Sequence, residues 1–412
     1  MFAVFVVYGT TFPFRFNIGW HGFLREAQRI NWRPLGGTAD NIILSDIIQN
    51  IMLFMPFGFL GYFSLIYKSS LARKAVVVLM GASLSTSVEF LQIFSPVRYP
   101  ALSDVIFNTV GTAVGLLVAM TFKRSVLGFK SNPVARRFLD APSAFPAIVF
   151  VGLVVAGCWE PFDFSLDVGM VIDHIKPLIR HPFAFAKPDD DLMSFIRFLL
   201  ASLFTCRLLA EAGLRRPALL GAALLGALGV ALELSQTFVQ SRMPELQDAI
   251  VAILGSAAGG VSFFFPGFHR RRRTWTLAGA TMIFLSAAAR AWYPYQLSPH
   301  YSGFNWVLFM PYYEHTTFQA LGDFIEDAML FFPLGFLLAY FQPKARMEVK
   351  SALLSGALAF VVEVMQGFVP GRYADATDVL GAVLGGFAGA LALSRGWPAF
   401  REYMARDDDE QV

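Results

Sequence analysis

The sequence predicts an all-α protein, a polytopic transmembrane helical bundle of about twelve membrane-spanning helices, from three observations. The composition is the first: 56% of the 412 residues are hydrophobic, 15% are charged, and the mean hydropathy is +0.54. Such values lie outside the range of soluble globular domains. Apolar runs that could cross a hydrocarbon layer of ~30 Å are the second observation. The third is a polar pattern that occurs three times within these runs.

The apolar runs recur along the whole chain and define the predicted helices. The predicted spans lie near residues 1–14, 46–67, 74–95, 101–122, 144–160, 191–210, 217–240, 246–266, 275–293, 323–342, 350–370 and 376–394. The spans fall into three groups of four, and each occurrence of the polar pattern covers the end of the third span and the start of the fourth span of its group. The chain therefore divides into predicted repeats at 1–125, 144–266 and 275–394, followed by an acidic tail at 395–412.

The polar pattern is Glu-x2-Gln-x5-Arg-x5-Asp-x6-Gly-x3-Gly, and we call its occurrences the first, second and third copies. The first copy consists of Glu89, Gln92, Arg98, Asp104, Gly111 and Gly115. The second consists of Glu233, Gln236, Arg242, Asp248, Gly255 and Gly259, and the third of Glu363, Gln366, Arg372, Asp378, Gly385 and Gly389. Six residue types at a fixed spacing, three times over, indicate a triplicated unit.

Within each unit, the pattern predicts a helical hairpin. Glu and Gln at i and i+3 share one face at the end of the third helix, Arg lies in the turn, and Asp begins the fourth helix. The two glycines, four residues apart, allow another helix to approach closely. In the structural interpretation the polar groups only staple the hairpin, with Asp as a helix cap. In the functional interpretation they line an ion path, a substrate cavity or a lipid headgroup site, because ionisable groups in membrane spans are costly.

The second helix distinguishes the copies. In the first copy it carries Asn50, Pro56 and Gly58. In the third copy it carries Asp327, Pro333 and Gly335 at the same offsets. After Asp191, the second copy has Phe195 where this spacing requires a polar residue, so it is predicted to have lost that part.

The first copy is the predicted site if only one copy is active. It alone combines Asn50 with Asn108, and the other copies have Ala252 and Ala382 in place of Asn108. A duplicated unit can lose a binding site while it keeps the residues that hold its fold together.

Basic loops predict the orientation in a bacterial cytoplasmic membrane. Lys and Arg cluster in the loops between second and third spans and after fourth spans, for example at Arg270–Arg273. By the positive-inside rule these loops and both termini are cytoplasmic, and the pattern turns are extracytoplasmic. The same rule explains Arg270–Arg273 without nucleic acid. The scattered histidines and the two apolar-run cysteines predict no metal site and no cofactor.

These residues resemble the VanZ-like family of small bacterial membrane proteins. The resemblance is strongest in the first copy, through Asn50, the stretch Phe54–Gly58, Glu89, Gln92, Arg98, Asp104, Asn108 and Gly111. The third copy is similar, with Asp327 in place of Asn50, and the second is a degenerate version. The resemblance implies a role in the cell envelope, with a link to reduced teicoplanin susceptibility and to envelope polysaccharide. It implies no catalytic residue.

The leading hypothesis from the sequence is a protein that binds membrane lipids or a polyprenyl-phosphate-linked glycan on the extracytoplasmic side. In it Arg98 holds the phosphate, Glu89 orients Arg98, and Gln92 and Asn108 donate hydrogen bonds. Three alternatives stay open. They are an enzyme with Glu89 or Asp104 as general base, a proton-coupled transporter that uses Glu89, and a structural scaffold.

Overall fold

A computed structural model describes Val7, Phe164 and residues 30–32, 44–65, 70–94, 100–160, 168–180, 188–265, 272–309 and 317–406. The predicted first span at 1–14 therefore lies almost entirely outside the described residues, as does Arg98. The chain forms two compact units, of which the first is made mainly of Met1–Arg136 and the second of Arg137–Phe162, Leu166–Pro311 and Gly322–Val412. Each unit is described by itself.

The first unit contains the first copy of the pattern. Its helices are α1 (Leu44–Leu65), α2 (Leu71–Gln92) and α3 (Leu102–Ser131), followed at the unit boundary by α4 (Pro133–Leu139). Helix α3 packs along both α1 and α2. Buried Phe54 and Val88 form one apolar cluster, and buried Tyr62, Val77 and Leu116 belong to another.

The second unit begins with helices of the second copy and continues into those of the third. Its helices are α5 (Ala144–Trp159), α6 (Val168–Arg180), α7 (Pro188–Glu211), α8 (Pro217–Ser235), α9 (Leu246–Ser262), α10 (Arg272–Trp292), α11 (Thr317–Phe341), α12 (Met347–Gln366), α13 (Ala376–Leu391) and α14 (Trp397–Arg406). A 3-10 turn at Gln236–Phe238 continues α8, and a π-helical turn at Ala392–Gly396 joins α13 to α14.

The second and third copies share one hydrophobic core. Phe150 of α5 stacks on Phe204 of α7 with a centroid distance of 5.2 Å. Phe336 of α11 meets Phe150 edge-on at the same distance. All three rings are at most 1% exposed. Helix α10 also packs against α7, so the helices of these two copies are parts of one folded body.

Six described helices are long and apolar enough to cross a membrane, or seven if α4 and α5 form one bent span. The six segments are Leu71–Gln92, Leu102–Ser125, Asp191–Glu211, Pro217–Phe238, Phe324–Phe341 and Ala376–Ala399. The all-α class and the multi-pass membrane character are therefore supported, whereas the count of twelve spans stays a prediction. Helices α9, α10 and α12 form where the sequence predicts spans, but they are not among the six. Helix α9 has 17 residues.

Two details of the fold differ from simple helical hairpins. Pro56 and Pro333 lie inside α1 and α11, as the sequence predicted. The sequence did not predict the two short strands β1 (Phe304–Asn305) and β2 (Ala374–Asp375), which pair in parallel. Strand β2 lies directly before α13. An isolated parallel bridge between Asn31 and Ala101 lies at the corresponding place before α3.

Candidate functional site

The glutamate of each pattern copy accepts a hydrogen bond from the backbone on the far side of the turn. The donor is always the N–H group twelve residues further along the chain. The bonds run from Ala101 to Glu89 (2.9 Å), from Glu245 to Glu233 (2.8 Å) and from Asp375 to Glu363 (2.9 Å). In all three copies, the carboxylate therefore joins the end of the third helix to the residue that precedes the fourth helix.

The pattern's aspartates lie slightly further along than the cap position. Asp104, Asp248 and Asp378 are each the third residue of their helix, within its first turn. Glu245 and Asp375 occupy the cap positions in the second and third copies, and the Asp375 carboxylate accepts a hydrogen bond from Thr377 N. A negative charge in the first turn still stabilises a helix through its dipole.

The pattern's glycines lie where the fourth helix crosses the second helix, and a side chain at these positions would overlap the second helix. A Cβ on Gly111 would overlap the backbone of Ile51, and one on Gly115 would overlap that of Met55. The second and third copies have the same contacts: Gly255 with Phe195, Gly259 with Leu199, Gly385 with Ala328, and Gly389 with Phe332. Glycine is required here because the two backbones are in direct contact.

These contacts correct the register that the sequence suggested for the second copy. Since Ile51, Ala328 and Phe195 occupy the same place against the first pattern glycine, the preceding residues also correspond. The counterpart of Asn50 and Asp327 is therefore Ser194, not Phe195. The second copy keeps a polar residue at this position. The alignment that starts from Asp191 was wrong by one residue. Asp189, Asp190 and Asp191 are consecutive, so the sequence alone did not fix the register.

In the first copy, two side-chain amide groups donate hydrogen bonds to the pattern aspartate and to a serine. Asn50 Nδ2 donates to Asp104 Oδ1 at 3.0 Å, which joins α1 to α3. Asn108 is 5% exposed, and its Nδ2 donates to Ser85 Oγ of α2 at 2.9 Å. The helix that bears Gln92 ends at that residue. The structure therefore joins Asn50 to Asp104 and Asn108 to Ser85, and the proposed ligand contacts of Arg98 stay predictions.

In the third copy, a second aspartate replaces Asn50 and an arginine from another helix compensates its charge. Arg290 Nη2 of α10 lies 2.8 Å from Glu326 Oε2, and its Nη1 lies 3.8 Å from Asp327 Oδ1. Gln366 Nε2 donates to Tyr373 O at 3.0 Å. The pattern arginine, Arg372, is exposed on the turn.

In the second copy, the pattern arginine is directed inward. Arg242 is half-buried, and its Nε donates to the backbone oxygen of Glu160 at 2.8 Å. Gln236 Nε2 donates to Glu233 Oε2 at 3.2 Å. The turn of the second copy is thereby held against the end of α5.

A polar cavity of about 60 Å³ lies beside this turn, between helices of the second and third copies. Three arginines and three carboxylates line it: Arg197, Arg242, Arg290, Glu233, Asp248 and Glu326. Ser194, the counterpart of Asn50, also lines the cavity. The second unit therefore concentrates charge within its helical bundle, where membrane proteins bind ions or substrates more often than elsewhere.

Arg197 of α7 differs from the other two arginines of the cavity. Within the described part of the chain, it forms neither an ion pair nor a hydrogen bond. Its guanidinium lies directly on Gly157 of α5, where any Cβ would overlap Nη1. The charges of Glu160 and Glu326 act on Arg197 from a greater distance. Arg197 is thus a half-buried cation whose hydrogen-bond donors face a cavity.

Sequence reasoning missed Arg197, Arg290 and Glu326. A signal was present, because Trp159-Glu160-Pro161 at the end of α5 corresponds to Trp292-Tyr293-Pro294 at the end of α10. In that register Gly157 corresponds to Arg290. An arginine therefore lies between the first and second helices in both copies, donated by α7 in one and by α10 in the other.

A second missed feature is an Asn-Trp pair that lies 58 residues before the pattern glutamate in the first and third copies. Asn31 forms a parallel bridge with Ala101, and Asn305 Nδ2 donates to Asp375 Oδ2 at 2.6 Å. The adjacent Trp32 and Trp306 are 69% and 70% exposed. The long separation from the pattern concealed this feature, although its spacing is as regular as that of the pattern itself.

Among the described residues, no group of three or more His, Cys, Asp or Glu side chains is arranged to hold a metal ion. The chain was also compared with known proteins. No curated protein matches it, and no solved structure matches it. The family model VanZ/LLP1 matches residues 1–123 and 274–397, which contain the first and third copies of the pattern. These two segments make up more than half of the chain, which therefore belongs to the VanZ/LLP1 family.

Proposed function

We propose that this protein binds an anionic headgroup, a phosphate or carboxylate of an envelope lipid or lipid-linked glycan, in the cavity of the second unit. The observation that carries the proposal is Arg197, a half-buried guanidinium that lines the cavity and has no partner among the described residues. Arg242 lines the same cavity and, within the described part of the chain, donates a hydrogen bond only through its Nε.

Energetics support an anion as the ligand. A charge in a membrane span costs at least ~2.5–3.5 kcal/mol, and membrane proteins normally offset this cost with a paired opposite charge. Guanidinium groups bind phosphate and carboxylate oxygens through two parallel hydrogen bonds. An anion between Arg197 and Arg242 would use donors that the protein itself leaves unused.

The size of the cavity limits what it can enclose. Since a buried water needs roughly 10–15 Å³ of cavity volume, the cavity has room for about four to six waters. That space suits one phosphate or carboxylate group, but it is too small for a sugar ring as well. The proposed ligand is therefore held by its anionic group, and its lipid and glycan parts lie outside the cavity.

The proposal includes the repeat architecture and the membrane orientation. The shared Glu–backbone bonds and glycine contacts support three VanZ-like repeats, of which the second is degenerate. With cytoplasmic termini in a bacterial inner membrane, the pattern turns and the cavity lie on the extracytoplasmic side. Arg98 of the first copy would hold a second headgroup. Altered teicoplanin susceptibility would then follow from binding of lipid-linked envelope precursors.

Native mass spectrometry of the protein extracted with its own membrane lipids tests this proposal. We expect a discrete anionic lipid on the wild type that is lost in Arg197→Gln. Arg372→Gln is the matched control, because Arg372 has the pattern position of Arg242 but is exposed on its turn. Identical lipid spectra for wild type and Arg197→Gln, at equal folded protein, would contradict the proposal.

A structural role for the pattern itself is the second candidate. It is favoured by the glutamate carboxylates, which bond the backbone identically in all three copies. Under this alternative Glu and Asp hold the hairpins, and no copy binds a ligand through them. The two functions are compatible, since the proposed anion is held by Arg197 and Arg242 and not by the pattern's Glu and Asp.

A further inference from the structure

The second unit contains a buried carboxyl group without a hydrogen-bond partner, that of Glu160. Glu160 directly follows α5 and is 4% exposed. Neither of its carboxylate oxygens has a hydrogen-bond partner in the described structure. Its backbone oxygen, in contrast, is fixed by Arg242, which lines the anion cavity. A buried carboxyl group with no partner is rare in native proteins and calls for a physical explanation.

Charged groups from four elements surround Glu160. Arg197 of α7, Arg290 of α10 and Arg242 of the turn after α8 act on it favourably, and Glu326 of α11 repels it. The same three arginines line the cavity. Glu160 and an anion in the cavity would therefore compete for the same positive charges.

We infer that Glu160 is a proton-binding site that is coupled to the cavity, so that anion binding is accompanied by proton uptake at this carboxyl group. The inference rests on the proposed function and adds its regulation. The physical reason is that a neutral carboxylic acid is far less costly to bury than an unpaired carboxylate. When an anion occupies the arginines, the favourable charges no longer offset the burial of ionised Glu160.

Linkage fixes the sign of the effect. If anion binding promotes protonation of Glu160, protonation strengthens anion binding by the same factor. Anion affinity should therefore fall as the pH rises through the range in which Glu160 loses its proton. The pattern glutamate Glu233 is not suited to this role, because its carboxylate already accepts hydrogen bonds from Glu245 N and Gln236 Nε2.

Calorimetric titration in two buffers of different ionisation enthalpy measures the number of protons taken up per anion. Sulfate and dihexanoyl phosphatidylglycerol are suitable probes, since neither changes its own protonation near neutral pH. They also separate a free anion from a lipid headgroup as the source of the charge. We expect proton uptake with wild-type protein and a fall in affinity of up to tenfold per pH unit. Glu160→Gln should bind the probe without proton uptake, and with an affinity that no longer depends on pH.

Asp173→Asn is the control, because Asp173 is an exposed carboxylate paired with Lys176 on α6. It should leave proton uptake unchanged. Infrared difference spectra of the wild type, recorded on addition of sulfate, provide a readout that does not require a mutant to fold. A new carboxylic-acid band is expected.

The outcomes separate the two proposals. Binding without proton uptake or without the infrared band would overturn the role of Glu160 and leave the anion site intact. The same holds if Glu160→Gln takes up protons as the wild type does. If neither probe binds the wild type, the anion site itself is wrong, and the inference falls with it.

Discussion

The second and third copies of the pattern carry the same six residue types at the same spacing, yet their arginines have different surroundings. Arg242 turns inward to the carbonyl of Glu160 and lines a polar cavity, whereas Arg372 is exposed. The glutamates, in contrast, make the same backbone bond in both copies. The comparison teaches that the pattern specifies the hairpin, and that the helices packed against the hairpin decide whether it borders a site.

The helix crossing provides the largest expected effect. Ser202 of α7 occupies the place of Gly335 in α11, and its hydroxyl donates to Ser256 O at 2.7 Å. In the third copy, a Cβ on Gly335 would overlap the carbonyl of Gly386. We expect Gly335→Ser to destabilise the protein by about 3 kcal/mol through overpacking, measured as thermal unfolding in detergent.

Gly152→Ala is the control for this substitution, because a Cβ at Gly152 would meet open space. Equal stability of Gly335→Ser and the wild type would mean that the close crossing in the third copy is wrong.

The two inter-helix arginines provide the next effect. Arg290→Gln leaves Glu326 and Asp327 without their cation, and partly buried ion pairs of this kind are costly to break. Because the Arg290 side chain is 34% exposed, we expect a loss of about 2 kcal/mol rather than the ~3–5 kcal/mol of a fully buried pair. Arg197→Gln, which breaks no pair among the described residues but removes a charge that acts favourably on Glu160, should lower the free energy of unfolding less than Arg290→Gln does.

Lys176→Gln serves as an exposed reference for Arg290→Gln. The hydrogen bond from Lys176 lowers the pKa of Asp173. Since both side chains are more than half exposed, solvent screens the pair, and the loss should be much smaller than that of Arg290→Gln. A destabilisation by Arg197→Gln as large as that by Arg290→Gln would show that Arg197 has a structural role, and would remove the main support for the anion site.

The pattern glutamates provide the smallest effect, and they test what the copies share. Glu233→Ala and Glu363→Ala each leave one backbone N–H group without its acceptor. We expect similar losses of ~1–2 kcal/mol in both variants, and smaller losses for the glutamine variants, whose carboxamide oxygen can still accept. Chemical denaturation monitored by tryptophan fluorescence would measure them. Glu233→Ala should lose slightly more, because Glu233 also accepts a hydrogen bond from Gln236 Nε2. A loss in only one of the two variants would contradict a common role for the glutamate.

Much of the fold could be predicted from the sequence, because hydropathy and helical spacing are local properties of the chain. The hairpin turns, the proline inside α1 and the close packing of Gly111 and Gly115 were all predicted. The register of the second copy was wrong by one residue, since three consecutive aspartates offered no unique alignment. The parallel pairing of Asn305 with Asp375 was missed, because its partners lie 70 residues apart.

The membrane character of the chain, the three copies of the pattern and the residues that close each hairpin follow from the order of the amino acids. The tertiary structure alone decided where a site could form. Arg197, Arg242 and Arg290 come from α7, from the turn before α9 and from α10, and they meet only because these helices pack together. Helical periodicity determines which face a residue occupies on its own helix, but it does not determine which other helix that face will contact.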